Sequence, residues 1–339
     1  MFQNILVIRF SSLGDLVLTT PVYRELRRCF PQARITLLTS AGFGEILANS
    51  PHLDEIHYHP RQETREELDR LIRWLTERRF DLLYDLHASL RSRWISMQLQ
   101  LAGSSPEVWR ISKRSLRRSL LIRMQLNLLR GARSQREQWL EPLRRFVGRP
   151  LEAHTELFPS ELDQGAVAAL MQQHGLESKC FVAVGPGASY ALKRWPPEHY
   201  ERVIRQWLEQ GRRVVLVGGP GEVEPDQLRL RLGPEVVNLA GQLQLLESAE
   251  LLRHAQRVLC NDTSIAHIAE AMGTPVDVLF GPTVREFGYA PFLAESHLLE
   301  PPLPLLCRPC TRDGRGECTN PQMLQCLHSI TPEQVPLPS

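Results

Sequence analysis

Ile5-Leu6-Val7-Ile8-Arg9-Phe10-Ser11-Ser12-Leu13-Gly14-Asp15 is the stretch on which the reading of the fold turns. Four consecutive apolar residues, three of them β-branched, suit a buried parallel strand. The Ser-Ser-x-Gly turn leading into Leu16-Val17-Leu18 suits a strand-to-helix corner. Such corners lie at the carboxyl edge of a sheet, where open α/β folds bind ligands. Asp15 is therefore expected at the mouth of a cleft, at or near a helix N-terminus. There it either caps the first turn, worth about 0.5–2 kcal/mol, or takes part in chemistry. The stretch alone leaves both readings standing.

Outward from this corner, Thr19 to Cys29 reads as a helix stopped by Pro31. Arg34 to Thr39 reads as a second strand, Phe43 to Ala48 as a short helix and Pro51 to Tyr58 as a third short strand. The alternation of strand and helix predicts a doubly wound parallel sheet. Glu63 to Arg79 is a charge-laced helix with Leu68, Leu71, Ile72 and Leu75 on one face. It runs into a strand over Asp81 to His87, which delivers His87, Ser89, Arg91 and Ser92 to the same sheet edge. A histidine at a strand end serves as readily in a loop's hydrogen bonds as in catalysis. Arg91 and Arg93 read equally as solvated helix charges.

Composition turns to Pro, Glu, Ser and Asp around Pro150 to Gly165, which places an interdomain linker there and predicts domains over 1–160 and 161–339. A second strand-and-helix series follows. Phe181-Val-Ala-Val opens into GPGASYALKRWP (185–196), and Arg213 to Val217 into GGPGE (218–222). Arg257 to Cys260 opens into NDTSIAH (261–267), and Val276 to Phe280 into Gly281-Pro282-Thr283. Each strand ends in small, turn-prone or hydroxylated residues, as phosphate and ribose sites require. Neither half holds the six-residue dinucleotide fingerprint or a P-loop lysine motif, which argues against a nicotinamide enzyme or an NTPase.

Hydrophobic residues make up 42% and charged residues 23% of the 339, the balance of a soluble globular chain. The net charge of +2 supplies no global field toward nucleic acid, and no nucleic-acid partner is expected. Charge is nonetheless uneven: Arg110 to Arg145 carries eleven Arg or Lys against Glu137 and Glu141. Within it, Ser115 to Arg130 reads as one helix, either core-packed with a solvated basic face or touching anionic lipid or phosphorylated glycolipid. On the second reading Arg114, Arg117 and Arg118 hold the bilayer or acceptor phosphates. No signal-peptide pattern or membrane span is apparent, and seven cysteines fit a reducing compartment, so a cytoplasmic protein is expected.

Taken together, SSLGD, GASYALKRWP, GGPGE, NDTSIAH and FGPT (280–283) occur in the order seen in the lipopolysaccharide heptosyltransferases, glycosyltransferase family 9, which the chain resembles from about Ile5 to Val335. The resemblance implies the GT-B class of α/β fold: two facing Rossmann-like domains, acceptor on the first and ADP-sugar on the second, with a cleft between. It implies inverting transfer of a heptose or related sugar to a lipopolysaccharide core acceptor, with no metal or other cofactor required. By the same resemblance Asp15 matches the general base and Lys193 the residue that meets the donor phosphate. Asp262, Thr263, Ser264 and His267 match the donor loop, with Ser189, Gly281 and Thr283 beside it. Glu222 is assigned to the ribose, with Glu224 close enough to compete. Ser11, Ser12, Gly14, His87 and Arg91 fall to the acceptor. The implied partners are the nucleotide sugar, a lipid-linked glycan and the anionic inner face of the inner membrane, where the protein would sit peripherally.

The chain departs from the family in having Ser264-Ile265 where Gly-Pro is common, and Gly185 before Pro186 where His or Asn is more usual. Near its end Cys307, Cys310, Cys318 and Cys326 pair one tight CxxC with two wider gaps, open either to structural zinc or to free thiols. Two other functions stay open on this fold: a sugar-nucleotide epimerase or hydrolase, and a non-catalytic nucleotide-sugar-binding homologue.

Overall fold

The computed structural model describes residues 2–60, 62 and 64–338. They form two compact units, one taking the chain up to Arg114 together with Gln135–Phe158, the other Ser115–Ser134 and the chain from Pro159 onward.

The first unit contains β1 (Asn4–Ile8), α1 (Leu13–Leu18), α2 (Thr20–Cys29), β2 (Arg34–Ser40), β3 (Glu55–His59), α3 (Arg65–Glu77), β4 (Leu82–Asp85), α4 (Leu90–Leu101) and β5 (Glu107–Arg110). Its strands make one parallel sheet in the order β3-β2-β1-β4-β5. β1 lies between β2 and β4, with Val7 opposite both Leu37 and Tyr84. Its residues Ile5 to Ile8 are fully buried, which is why the sequence there runs apolar instead of alternating. Leu71 and Leu75 of α3 and Ile95 and Leu99 of α4 pack on Leu6, Ile8 and Leu83. Thr64 and Glu67 close α3 with a reciprocal capping box. Glu63, at the head of the expected helix, lies outside the described residues. The strand expected over Asp81 to His87 is shorter, because Asp85 turns the chain by accepting the His87 and Ala88 N–H groups.

A single cut at residue 160 does not describe this chain. α5 (Ser115–Met124) belongs to the second unit, and α6 (Gln135–Trp139) returns to the first. The excursion is held by apolar packing of Leu121 and Leu129 on Val284 and Phe287, and by Asn127 donating to Glu286 at 2.9 Å. The helix expected over Ser115 to Arg130 stops at Met124, where Gln125 takes a left-handed φ of 55°. Its faces also differ from expectation. Arg118 is buried, whereas Leu116, Met124, Leu126 and Leu128 are exposed.

The rest of the second unit runs α7 (Glu161–Gln173), β6 (Phe181–Gly185), α8 (Pro197–Glu209), β7 (Arg213–Leu216), α9 (Glu224–Leu232), β8 (Val236–Asn238), α10 (Leu245–His254), β9 (Arg257–Asn261), α11 (Ser264–Ala271), β10 (Val276–Leu279), β11 (His297–Leu299) and α12 (Gln325–His328). Its parallel sheet has the order β11-β10-β9-β6-β7-β8. Val182, Val184, Val214 and Leu216 pack there against Tyr200, Ile204 and Trp207 of α8 and Leu327 of α12.

In each sheet the winding direction reverses once, between β1 and β4 in the first and between β6 and β9 in the second. Loops that leave neighbouring strands in opposite directions open a crevice at such a point, and ligands bind there.

Candidate active site

At the first switch point, buried Arg9 follows β1. Its guanidinium pairs with Asp15, donates to the Leu86 carbonyl at 2.5 Å and lies 4.9 Å over the Trp139 ring. Asp15 is the third residue of α1, and its Oδ2 accepts both the Ser12 N–H at 3.3 Å and the Ser12 hydroxyl at 3.2 Å. Asp15 thus caps the helix and faces a fixed cation at once. Gly14 is buried beneath it, Ser11 is half-buried and Ser12 exposed. His87, arriving from β4, stands edge-on to Phe10 at 5.4 Å, and the Arg91 guanidinium covers the same ring at 4.2 Å. Burial first, then Arg9 and Lys113, lower the His87 pKa to about 4, so the ring is neutral at physiological pH. Sequence reasoning missed Arg9 and Asp85. Fully buried Asp85 takes the Ser92 hydroxyl at 2.9 Å and Arg110 Nε at 2.7 Å on Oδ2, besides its two N–H groups on Oδ1. It thereby orients the turn that carries His87. An acidic residue closing a strand was the available signal.

At the second switch point, the loop after β6 and the loop after β9 meet. Lys193 Nζ lies 2.8 Å from Asp262 Oδ2 and donates to the Asp262 carbonyl at 3.1 Å. Buried Thr283, after β10, donates its hydroxyl to the same carboxylate at 2.8 Å. Asn261, fully buried and missed by sequence reasoning, ties the loops together: its Oδ1 accepts the Trp195 N–H at 3.0 Å, and its Nδ2 donates to the Pro186 and Gly187 carbonyls at 2.7 and 3.1 Å. Thr263 is the N-cap of α11, yet its buried hydroxyl has no partner. Ser264 opens the helix, and His267 is buried one turn on, its ring 6.3 Å from Tyr289. Ser189 is exposed.

Glu222 sits against two glycines. A Cβ at Gly187 would stand 1.9 Å from its Oε2, and one at Gly218 2.6 Å. That oxygen is buried without a partner, and burial raises the carboxyl above its ordinary range. Glu224 is instead paired with Arg194 at 2.8 Å. A Cβ at Gly281 would meet Leu327 at 2.4 Å, so this glycine admits α12 to the sheet. The two departures around α11 answer each other: Ile265 Cδ1 lies 2.7 Å from where a Cβ at Gly185 would be. Ile265 fills the space a larger residue at 185 would take.

Among the described residues no three or more His, Cys, Asp or Glu stand in metal-holding geometry, and all seven cysteines are free. The Cys307 thiol accepts from Asn320, the Cys318 thiol accepts the Leu324 N–H at 3.2 Å, and Cys326 is buried.

A sequence model of Glycosyltransferase family 9 (heptosyltransferase) matches residues 68–295. The chain belongs to this family. Lipopolysaccharide heptosyltransferase 2 of Salmonella typhimurium is 27% identical over 307 residues, 84% of each chain. Lipopolysaccharide heptosyltransferase 1 of Pseudomonas aeruginosa is 26% identical, over 91% of this chain and 88% of its own. The structure of E. coli ADP-heptose lps heptosyltransferase II superposes with a TM-score of 0.73 at 25% identity, covering 98% of this chain and 96% of that one. This family 9 member is thus a glycosyltransferase, and its two parallel α/β units are of the GT-B class.

Proposed function

We propose that the protein transfers a heptose, or a closely related sugar, from an ADP-sugar to the saccharide core of a lipopolysaccharide, with inversion and without a metal ion. The observation that carries this reading is the cluster of Lys193, Asp262 and Thr283 beside the N-terminus of α11. A departing diphosphate needs cations or oriented N–H groups to take up its charge. Lys193 supplies a mobile ammonium, the helix end supplies N–H groups, and the unpartnered Thr263 hydroxyl supplies a further donor. Until a donor arrives, Asp262 holds the ammonium in place. Glu222, with an unpartnered oxygen walled by glycines, suits a pair of ribose hydroxyls.

In the reaction the acceptor oxygen forms its bond to the anomeric carbon as the sugar–phosphate bond breaks, its electron pair leaving with ADP. The hydroxyl proton passes to Asp15, whose orientation Arg9 and Ser12 fix. Neutral His87, with Ser11, Ser12 and Arg91, offers hydrogen bonds to acceptor hydroxyls. The domains are proposed to divide these tasks, acceptor on the first and nucleotide on the second.

The protein is further proposed to dock on the inner face of the inner membrane. No helix among the described residues is long and apolar enough to cross a bilayer. Exposed Leu116 and Met124 lie on α5 with exposed Arg117, a combination suited to an anionic lipid surface. Arg118, buried and bound to the Phe287 carbonyl, is not available to that surface.

Calorimetric titration with ADP-, UDP- and GDP-sugars tests the donor. At least tenfold preference for the ADP-sugar is expected, and equal affinities would overturn the assignment. NMR of the product reports the new anomeric configuration, and activity unchanged by a chelator is expected if no metal ion takes part.

A further inference from the structure

We propose that the second unit carries a separate anion site, a cavity that takes the phosphate monoester of a phosphorylated sugar. The cavity, about 390 Å3, is lined by Ser115, Arg118, Ser119 and Arg123 of α5 and by the loop that carries Arg312 and Arg315. Four guanidinium groups there face one carboxylate, Asp313, which lies 3.6 Å from Arg315. Among the described residues, Arg123 and Arg312 have no ion-pair or hydrogen-bond partner.

Arg118 is the strongest indication. It is 7% exposed, gives one N–H to the Phe287 carbonyl at 3.0 Å, and lies over the Phe287 and Tyr289 rings at 5.7 and 5.6 Å. Among the described residues its buried Nε has no partner and no carboxylate pairs with it. A buried guanidinium with no counter-ion is costly to hold, and an anion in the cavity supplies the missing charge. The planar fork of arginine matches phosphate oxygens in pairs, and α5 begins at the same cavity with its positive dipole end.

Size and lining narrow the ligand. Small-molecule sites occupy about 300–1,000 Å3, so the cavity holds more than a bare ion. Ile122 is its one apolar lining residue, and the hydroxyls of Ser115 and Ser119 suit a polyhydroxylated ring. The same loop also backs the donor lysine. A Cβ at Gly314, whose φ is +94°, would stand 2.9–3.1 Å from the Lys193 stem, and Arg315 Nε donates to the Tyr190 hydroxyl at 2.8 Å. A ligand that fixes Arg312 and Arg315 therefore braces the segment against which Lys193 leans. That the phosphate belongs to the acceptor saccharide rests on the transfer reading above; the anion site itself does not.

The test is calorimetry with glucose 6-phosphate and with glucose, on the wild type and on the double variant Arg123→Gln/Arg312→Gln, with ADP titrated in parallel. The wild type is expected to bind glucose 6-phosphate and not glucose. The double variant should bind it at least tenfold more weakly while holding ADP within twofold of wild type. Undiminished binding by the variant, no saturable binding by the wild type, or loss of binding under saturating ADP would each overturn the site. A second arm measures KM with phosphorylated and enzymatically dephosphorylated acceptor. An increase of at least tenfold confined to the phosphorylated acceptor assigns the phosphate to it, and an unchanged KM for both overturns that assignment. Failure of transfer with every acceptor would sink the transferase reading and leave the calorimetric result standing.

Discussion

The two switch points hold the same kind of group in different ways. At the first, Asp15 is fixed by its own neighbourhood: Ser12 three residues before it and Arg9 six before it. At the second, Asp262 is fixed by Lys193, 69 residues away, and by Thr283, 21 residues on. The aspartate of the first corner is held by near neighbours in the chain, and Arg9 is itself anchored on the distant Leu86 carbonyl and Trp139 ring. The second corner is assembled by tertiary packing. Among the described residues both corners retain buried polar atoms without partners, Arg9 Nε and His87 Nδ1 at the first, Thr263 Oγ1 and Glu222 Oε2 at the second. A ligand that satisfies those atoms adds hydrogen bonds the protein alone does not make. A carboxylate held by near neighbours suits the proposed base, whereas groups drawn from separate loops suit the proposed nucleotide site.

The comparison breaks most sharply at Asp15. Asp15→Asn keeps the shape of the corner and removes the proposed base, so turnover should fall by about 10²–10⁴-fold with ADP affinity nearly unchanged. Near-wild-type turnover would reduce Asp15 to its capping role. Lys193→Ala should strike both quantities, slowing transfer by roughly 10²-fold and weakening ADP, because diphosphate charge grows as the sugar leaves. Lys193→Arg should recover only part, since its planar head does not reproduce a mobile point charge.

Glu222→Gln sharpens the contrast between stability and binding. Burial disfavours the ionised carboxylate, so the fold loses stability as pH rises past the ordinary glutamate range toward the raised folded value. The amide escapes this penalty and loses the charged acceptor. The variant should therefore be at least as stable as wild type at pH 8 by urea unfolding, while binding ADP about tenfold more weakly, the loss of one charge-assisted hydrogen bond. Unchanged ADP affinity would remove Glu222 from the site.

How much of this was legible follows the same divide. The β1 corner could be read because strand, turn and capping aspartate are contiguous. Lys193, Asp262, Thr263 and Thr283 were reached by resemblance, and their convergence needed coordinates. Asn261 was missed because an Asn opening NDTSIAH looks like a turn residue, while its partners lie 66–75 residues away. Asp85 was missed for the opposite reason: its bonds to His87 and Ala88 are local, but the strand was read through it. The excursion of Ser115–Ser134 into the second unit is invisible to periodicity, since Leu121 and Leu129 find their packing partners at Val284 and Phe287. The short strands Glu107–Arg110, Val236–Asn238 and His297–Leu299 offer too few residues for a pattern to declare itself.

The paired departures in the second unit yield a packing prediction. Gly185→Ala places a Cβ 2.7 Å from Ile265 Cδ1 and 3.2 Å from Cys260 Cβ, an overpacking that should cost about 1–3 kcal/mol. In an Ile265→Ala background most of that cost should vanish, because the nearer obstacle is gone. Additive destabilisation in urea unfolding would show that the two sites are not coupled.

The smallest expected effect returns to the first corner and appears only in acid. His87 has a folded pKa of about 4 against roughly 6.5 when unfolded, depressed by burial, Arg9 and Lys113 and opposed by Asp85 and Asp15. Between those values the unfolded chain takes up a proton that the folded chain refuses. The contribution is therefore fully present above pH 6.5 and declines as pH falls toward 4. At pH 5.5 the loss amounts to about 1 kcal/mol. His87→Gln keeps a neutral hydrogen-bonding group and removes the titration. Urea unfolding at pH 7.5 and 5.5 should show wild type losing about 1 kcal/mol more than the variant between the two conditions. Equal losses would mean that the ring is solvated enough to protonate in place. The neutral imidazole assigned to the acceptor edge would then be a cation at mildly acid pH.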